Sequence, residues 1–335
     1  MSNKNQLKKT ALSLVQKGKG ILAADESNPT CTKRFESIGV ESSFKNRNEY
    51  RDMLFTTDNI EEYISGVILF DETLRQSTTC DDKIPFTELL NSKNIIPGIK
   101  VDQGVINLEG FTNEKVTSGL DGLEDRLIEY YKLGARFAKW RAVITIDKNA
   151  PSEACILANA HALARYASKC QNAGIVPIVE PEVLMAGNHN IQTCNSVTNK
   201  VLKVVFQQLE MFKVILEGTI LKPNMIISSI NCQSQANIQE VANMTYSCLK
   251  NNVPKNLAGI AFLSGGQSSD LATAHLNEMN KIDTNMNWNL TFSYGRALQH
   301  DALNTWKGKK ENRKSAQDAL LLRAKNNGLA STGNY

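Results

Sequence analysis

The sequence predicts an α/β protein built as a single (β/α)8 barrel of the TIM type that occupies residues 1–335. Short runs rich in Val, Ile and Leu recur eight times, with centres about 30 to 45 residues apart, and helical stretches lie between them. No Pro-, Gly- or Ser-rich linker divides the chain. Apolar runs of this length are typical of strands buried on both faces of a parallel sheet, and eight of them alternating with helices indicate a barrel.

The predicted strands are short, and each is followed by polar or charged residues. In chain order they cover residues 20–24, 64–70, 95–101, 136–143, 175–179, 219–221, 257–263 and 288–292.

The predicted helices lie between these strands. The clearest covers 121–132, where Leu123 and Leu127 recur at helical spacing. Ser152 favours a capped start for the next helix, and Gly134 occupies a position typical of a helix end. The other predicted helices cover 152–172, 195–212, 237–250 and 316–326.

A doubly wound parallel sheet is the alternative fold for the same alternation. It predicts a glycine-rich phosphate-binding turn directly after the first strand. That place is filled by Ala23-Ala24-Asp25-Glu26-Ser27, and neither G-x-G-x-x-G nor a Walker-type loop occurs in the chain. The barrel is therefore favoured.

Composition narrows the class of protein. With 41% hydrophobic residues the chain can bury a large core, and a net charge of +4 without long runs of one sign gives no reason to expect nucleic acid as a partner. Seven cysteines at scattered spacings, without C-x-x-C, favour a reducing compartment and hence a cytoplasmic protein. No apolar run resembles a signal peptide or a membrane span, and the four histidines form no metal-ligand pattern.

The strands of a barrel deliver the residues that follow them to one mouth, where barrel sites lie. A single lysine at a strand end is usually a solvated surface group. Here at least three lysines, two arginines and three carboxylates converge, and because clustered buried charges are costly, they indicate a function or an anionic ligand. In chain order the strand-end residues are Asp25, Glu26 and Ser27, then Asp71 and Glu72, Lys100 and Asp102, Lys139 and Arg141, Glu180 and Glu182, Lys222, Ser264-Gly265-Gly266, and Ser293-Tyr294-Gly295-Arg296.

Lys222, after the sixth predicted strand, is the candidate nucleophile. A lysine attacks a carbonyl only as the neutral amine, and we expect burial near Lys139 to lower the pKa of Lys222. Glu180 and Glu182 share one face of the fifth strand across Pro181 and can carry protons during imine formation. The expected chemistry is covalent catalysis through a Schiff base.

Two anion sites are predicted on either side of this lysine. Ser264, the Gly265 amide and Arg296 occupy the loops after the seventh and eighth strands, the usual phosphate position in barrels. Two phosphate sites flanking an amine nucleophile imply a bisphosphorylated sugar. The second basic patch comprises Ser27, Lys33, Arg34 and Lys100.

A set of segments spread along the chain carries a resemblance to a known family. They are GKGILAADES at 18–27, GVILF at 66–70, GIKVD at 98–102, FAKWR at 137–141, ARYAS at 164–168, GIVPIVEPE at 174–182, LEGTILKPNM at 216–225, FLSGGQS at 262–268 and LTFSYGRALQ at 290–299. Together they resemble the class I fructose-bisphosphate aldolases, whose Schiff-base signature is LEG-x-x-LKPN. The resemblance implies a lyase that needs no metal or other cofactor. It would cleave fructose 1,6-bisphosphate reversibly to dihydroxyacetone phosphate and glyceraldehyde 3-phosphate in glycolysis and gluconeogenesis.

The resemblance also implies residue roles. Lys222 is similar to the imine-forming lysine, Glu180 to the acid/base of imine formation and C–C cleavage, and Asp25 to the carboxylate that handles the C4 hydroxyl. Lys139 resembles the lysine that supplies positive charge beside the imine, and Glu182 the residue that orients the nucleophile. The other matched positions are Thr30, Arg141 and Ser293 in the substrate and phosphate site, Ser264, Gly265, Gly295 and Arg296 at the C1 phosphate, and Ser27, Lys33, Arg34 and Lys100 toward the C6 phosphate.

The sequence departs from the family pattern at three places. Thr30 stands where many members have Ser, which keeps the hydroxyl, and Gln103 replaces a common Lys. Animal members continue past the position of Tyr335 into a mobile tail whose last tyrosine helps to protonate the enamine. We expect that Tyr335 does not inherit that role and that exchange of the C3 proton of dihydroxyacetone phosphate is slow.

Other hypotheses belong to different classes. Transaldolases and deoxyribose-phosphate aldolases are also Schiff-base barrel lyases, but two separate phosphate sites argue against both. A metal-dependent class II aldolase would need clustered histidines. A non-catalytic scaffold role remains open beside catalysis. The resemblance implies a homotetramer, although the helical faces do not establish one.

Overall fold

Eight parallel strands close into a barrel in the computed structural model, which describes residues 3–283 and 285–335. The described residues contain ten strands, of which eight form the barrel. In chain order they are β1 (Gly20–Ala24), β2 (Ile64–Leu69), β3 (Ile96–Lys100), β4 (Val105–Asn107), β5 (Lys115–Thr117), β6 (Phe137–Ile144), β7 (Val176–Val183), β8 (Ile220–Leu221), β9 (Gly259–Phe262) and β10 (Leu290–Tyr294). β4 and β5 form a separate antiparallel hairpin, and the barrel order is β1-β10-β9-β8-β7-β6-β3-β2. Ile21 of β1 pairs with Ser293 of β10, which closes the sheet. The predicted barrel is confirmed, and the doubly wound alternative is wrong.

β7 differs most from its predicted bounds. The prediction ended this strand at Val179, but β7 continues to Val183. It does so because β6 remains paired with it along its whole length, with Arg141 opposite Glu180 and Val143 opposite Glu182. The two longest strands of the barrel therefore carry charged residues while still in register.

Twelve α-helices are found among the described residues: α1 (Asn3–Leu14), α2 (Asn28–Glu36), α3 (Phe44–Phe55), α4 (Asp71–Leu74), α5 (Phe86–Ser92), α6 (Leu123–Lys132), α7 (Glu153–Asn172), α8 (Ile191–Met211), α9 (Ile238–Asn252), α10 (Ser269–Ile282), α11 (Arg296–Trp306) and α12 (Arg313–Ala330). The predicted helices correspond to α6, α7, α8, α9 and α12. The Ser152 side chain accepts a hydrogen bond from the Cys155 amide, which confirms the predicted cap of α7. Gly134 has φ +106°, as the end of α6 requires.

Helix α1, which was not predicted, fills the N-terminal end of the barrel. Its Leu14 and the following Val15 are fully buried and pack among interior strand residues. A Cβ added to Gly66 would lie 2.5 Å from Leu14, and one added to Gly259 would lie 2.5 Å from Val15. Gly259 is the first residue of β9 and Gly66 the third of β2. Because neither glycine has a side chain, the helix can approach this end of the barrel closely.

The last residues also lie at the N-terminal end of the barrel. Ser331 Oγ accepts a hydrogen bond from the Gly18 amide at 3.0 Å, just before β1 begins. The Tyr335 backbone N–H donates to Asn277 Oδ1 on α10 at 3.0 Å. Tyr335 is therefore held away from the strand ends that carry the predicted site.

None of the helices in the described part of the chain combines the length and the apolar character needed to cross a bilayer.

Candidate active site

A cavity of about 530 Å³ opens at the carboxyl ends of the barrel strands. Every predicted site residue lines it except Lys33, which is exposed on α2. The structure therefore brings together residues from distant parts of the sequence because they follow parallel strands of one barrel. The lining residues are Ala23, Asp25, Glu26, Ser27, Thr30, Arg34, Lys100, Lys139, Arg141, Glu180, Glu182, Lys222, Leu263, Ser264, Gly265, Gly266, Ser293, Gly295 and Arg296.

Two buried lysines share one carboxylate at the centre of the cavity. Lys222 Nζ lies 3.2 Å from Glu180 Oε1, and Lys139 Nζ lies 3.4 Å from Glu180 Oε2. Lys139 Nζ is also 2.8 Å from Asp25 Oδ2. Lys222 and Lys139 are each 4% exposed, and Glu180 is 3% exposed. Lys222 is placed by the strand pairing, since its backbone N–H donates to Val179 O of β7 at 2.8 Å.

The charge of Lys139 is fixed by its surroundings. Burial disfavours the ammonium, but Asp25, Glu180 and Asp102 outweigh that effect and hold the pKa of Lys139 well above its ordinary value. Burial also favours the neutral form of Asp25, yet Lys139 and Lys222 outweigh it and hold the pKa of Asp25 well below its ordinary value. Lys139 is therefore a permanent cation and cannot supply a neutral amine at neutral pH.

Glu182 contacts a different partner from the one that the resemblance implied. Its carboxylate accepts a hydrogen bond from the guanidinium Nε of Arg141, and no contact joins it to Lys222 among the described residues. Asp102 in turn accepts from Lys100 at 2.6 Å and from the Arg141 amide at 3.4 Å. Lys100 at the end of β3 and Arg141 of β6 are thus each paired with a carboxylate at the mouth.

The turn after β9 and the start of α11 form one wall of the cavity. Gly265 and Gly266 have φ +56° and +82°, which favours glycine at both positions. A Cβ on Gly266 would also lie 2.6 Å from Met185 Sδ and 3.2 Å from Arg296 Nη2. Arg296 begins α11 and has no carboxylate partner in the described structure, so its charge is available to an anion at this helix N-terminus.

Two buried oxygens in the cavity lack hydrogen-bond partners among the described residues. They are Ser293 Oγ, on a residue that is 1% exposed, and Glu180 Oε2, whose 3.4 Å contact with Lys139 Nζ is an ion pair without hydrogen-bond geometry. Buried polar atoms are normally satisfied, so exceptions in a cavity mark places where a ligand can donate or accept a hydrogen bond.

The opposite wall carries hydroxyl groups and Lys100. Ser27 Oγ and Thr30 Oγ1 are 3.2 Å apart, beside the N-terminus of α2. Lys100 lines the same wall but is already paired with Asp102. A neighbouring cavity of about 550 Å³ continues outward from this wall and includes Gln103.

Sequence reasoning missed a buried network beneath Arg34. Glu26 is an ion-pair partner of Arg34 and of Arg51, whose Nη2 lies 2.5 Å from Glu26 Oε2. Gln299 Nε2 donates to Glu26 Oε1 at 3.0 Å and to Ala23 O at 2.7 Å. Burial disfavours ionisation, but the two arginines outweigh it and lower the pKa of Glu26. Gln299 belongs to the LTFSYGRALQ segment, so the sequence carried a signal for it. Arg51 lies inside a helix, and nothing in the sequence distinguishes it from a surface arginine.

The described residues contain no group of three or more His, Cys, Asp or Glu side chains arranged to hold a metal ion.

Comparisons with known proteins place this chain among the barrel lyases. The family model described as fructose-bisphosphate aldolase class-I matches residues 6–335. A probable class 1 fructose-bisphosphate aldolase from Xanthomonas axonopodis pv. citri is 54% identical over 331 residues, which is 98% of each chain. The fructose-bisphosphate aldolase of Plasmodium falciparum is 51% identical over 98% of this chain and 89% of its own length.

A solved structure gives the same result. It is a ternary co-crystal structure of the Plasmodium falciparum aldolase with TRAP and a small-molecule inhibitor. The TM-score is 0.97 at 50% sequence identity, with 99% of this chain and 96% of that chain covered. The chain therefore belongs to the class I fructose-bisphosphate aldolase family, and the predicted family is confirmed. The transaldolase, deoxyribose-phosphate aldolase and class II readings are set aside, since the match covers nearly the whole chain.

Proposed function

We propose that this class I aldolase cleaves fructose 1,6-bisphosphate through a covalent imine on Lys222. The observation that carries the proposal is the contrast between the two buried lysines. Lys139 is in ion-pair contact with two carboxylates that keep it charged, whereas Glu180, at 3.2 Å, is the one carboxylate in ion-pair contact with Lys222 among the described residues. A proton that passes from Lys222 to Glu180 across this contact leaves a neutral amine beside a fixed positive charge.

Imine formation uses these groups in turn. The Lys222 amine attacks the C2 carbonyl of the open-chain sugar, and the proton that the attacking nitrogen releases passes to the carbonyl oxygen to give a carbinolamine. Glu180 then donates a proton to the departing hydroxyl, so that water leaves and a protonated imine forms. Lys139 stabilises negative charge that develops on the carbonyl oxygen during attack.

Cleavage of the C3–C4 bond follows from the imine. Asp25 is ionised because of its lysine neighbours and accepts the proton of the C4 hydroxyl. The bonding electrons flow into the imine, which becomes an enamine, and glyceraldehyde 3-phosphate leaves. The enamine is protonated at C3, and water hydrolyses the resulting imine to release dihydroxyacetone phosphate and restore Lys222.

The two walls of the cavity suit two phosphates. Ser264, Gly265 and Arg296, with the free Ser293 hydroxyl, would take the C1 phosphate. Gly295 directly precedes Arg296 at the start of α11. The C6 phosphate would lie toward the wall formed by Ser27, Thr30, Arg34 and Lys100. Lys33 would reach that phosphate only from outside the cavity lining, and Glu182 would act by fixing Arg141.

Borohydride trapping tests the nucleophile. The protein is incubated with dihydroxyacetone phosphate and EDTA, reduced, digested and mapped by mass spectrometry, with Lys222→Met and Lys139→Met as matched variants. We expect a triose-phosphate adduct on Lys222 in the wild type and in Lys139→Met, and none in Lys222→Met. An adduct on another lysine would overturn the residue assignment, and no adduct in folded protein would overturn the mechanism.

We also propose that the chain is one domain that assembles as a homotetramer in the cytoplasm. All seven cysteines are free, which supports a reducing compartment. Mass photometry would test the assembly, and a monomer at micromolar concentration would contradict it. A scaffold role remains a prediction that a pull-down with catalytically inactive Lys222→Met would test.

A further inference from the structure

The turn that follows β9 is tied to the protein interior by one side chain. Gln267 donates twice to the Ser264 carbonyl, from its backbone N–H at 3.1 Å and from its side-chain Nε2 at 2.8 Å. Gln267 is 6% exposed and does not line the mouth cavity, whereas Ser264 and Gly265 do. The Ser264 carbonyl is thus held from beneath while its hydroxyl and the Gly265 amide remain on the cavity wall.

Gln267 is in turn held by a histidine of α10. His275 Nδ1 lies 2.6 Å from Gln267 Oε1, and His275 is 2% exposed. Because Gln267 Nε2 already donates to Ser264, its Oε1 must accept, so the proton of His275 is on Nδ1. Nε2 has no partner among the described residues, and burial lowers the pKa of His275 to about 4. The imidazole is therefore neutral near pH 7, in a single tautomer.

We propose that His275 and Gln267 are positioning residues for the half of the site that binds dihydroxyacetone phosphate. His275 fixes the rotamer of Gln267, and Gln267 fixes the turn at Ser264 and Gly265 before the phosphate arrives. The inference rests on the proposed function, because it takes this turn as the C1-phosphate site. Neither residue lines the mouth cavity, and the sequence assigned no role to either of them.

Kinetics in the aldol condensation direction separate a positioning role from a merely structural one. In the proposed site the two trioses bind at opposite walls, so a defect in one wall should change the KM of one triose and not that of the other. His275→Leu removes the Nδ1 donor, whereas His275→Asn places an amide N–H close to the Nδ1 position and keeps it. We expect His275→Leu to raise the KM for dihydroxyacetone phosphate about tenfold, the effect of losing about 1.4 kcal/mol from one buried hydrogen bond. The KM for glyceraldehyde 3-phosphate and kcat should stay within about twofold, and His275→Asn should resemble the wild type.

Gln267→Met provides a second route to the same result if His275→Leu does not fold, and it should show the same selective rise in KM. Equal changes in both KM values, a change in kcat alone, or identical behaviour of the Leu and Asn variants would overturn the proposal. Borohydride trapping of the wild type keeps the two proposals apart. If Lys222 is labelled and the KM split is missing, positioning alone is wrong, and if Lys222 is not labelled, the proposed function is wrong.

Discussion

Replacement of Arg51 by Met tests the buried network behind Asp25. Arg51 is 2% exposed and its Nη2 lies 2.5 Å from Glu26 Oε2, so the change leaves a buried carboxylate short of one cation. Breaking a buried ion pair from one side costs about 3–5 kcal/mol. Glu26 keeps Arg34 and Gln299 as partners, so we expect the lower end, about 3 kcal/mol.

The expected shift in melting temperature follows from chain length. An unfolding entropy of roughly 2.1 cal/mol/K per residue gives about 0.7 kcal/mol/K for 335 residues. A loss of about 3 kcal/mol then lowers Tm by roughly 4 °C. Thermal unfolding followed by circular dichroism measures this shift, at a fixed protein concentration because assembly also affects Tm.

Arg75→Met is the matched control. Arg75 pairs with two carboxylates, Asp71 at 3.1 Å and Glu129 at 2.7 Å, whereas Arg51 pairs with one, and the Arg75 side chain is 43% exposed. Exposed pairs contribute about 1 kcal/mol or less, so its Tm should fall by roughly 1 °C. Equal shifts for Arg51→Met and Arg75→Met would falsify the argument from burial. Adding Glu26→Gln to Arg51→Met should recover part of the loss, because the carboxylate then no longer carries an uncompensated charge.

Three further predictions concern one lysine, one histidine and the C-terminal residue. Lys139→Met should lower kcat about 100-fold or more because it removes a fixed positive charge from the site. Borohydride trapping on Lys222 should remain intact because the nucleophile is kept. Single-turnover cleavage assays measure the first effect, and trapping with mass spectrometry measures the second. His275 has a pKa of about 4 when folded against 6.5 when unfolded, so the unfolded chain binds more protons between these values and stability falls as pH drops through that range. The loss is at most roughly 3 kcal/mol, and urea unfolding at pH 7 and 4.5 should show a smaller loss for His275→Asn. Tyr335→Phe should leave exchange of the C3 proton of dihydroxyacetone phosphate unchanged in tritium-release assays, because the chain near this residue is held on the face opposite the mouth.

Most of the fold was predictable because buried parallel strands are continuous apolar runs. β1 matches its predicted bounds, since GILAA is apolar and ends at Asp25. β7 was predicted too short because Glu180-Pro181-Glu182 has the composition of a strand end, whereas pairing with β6 keeps these residues extended. Helix α1 was missed because lysines cover its exposed face, although Leu7, Ala11 and Leu14 share one side.

The candidate site was predictable as a set of residues but not as a set of contacts. Strand order alone brings Lys139, Glu180 and Lys222 to the mouth. It does not decide which cation each carboxylate takes, because that depends on side-chain reach within a fixed register. Glu182 therefore pairs with Arg141. The relation between His275 and Gln267 was equally hidden, since the two residues lie below the mouth and only the packing of α10 against the turn joins them.

Helix α1 occupies the base of the barrel, and the cavity that contains Lys222 opens at the other end, at the carboxyl ends of the strands. Leu14 and Val15 are fully buried at this base and pack among interior residues of the strands. In the proposed mechanism, the water lost during imine formation, the water that hydrolyses the imine and both trioses would share this mouth. The departing aldehyde would therefore pass through the same mouth by which the hydrolytic water approaches the imine.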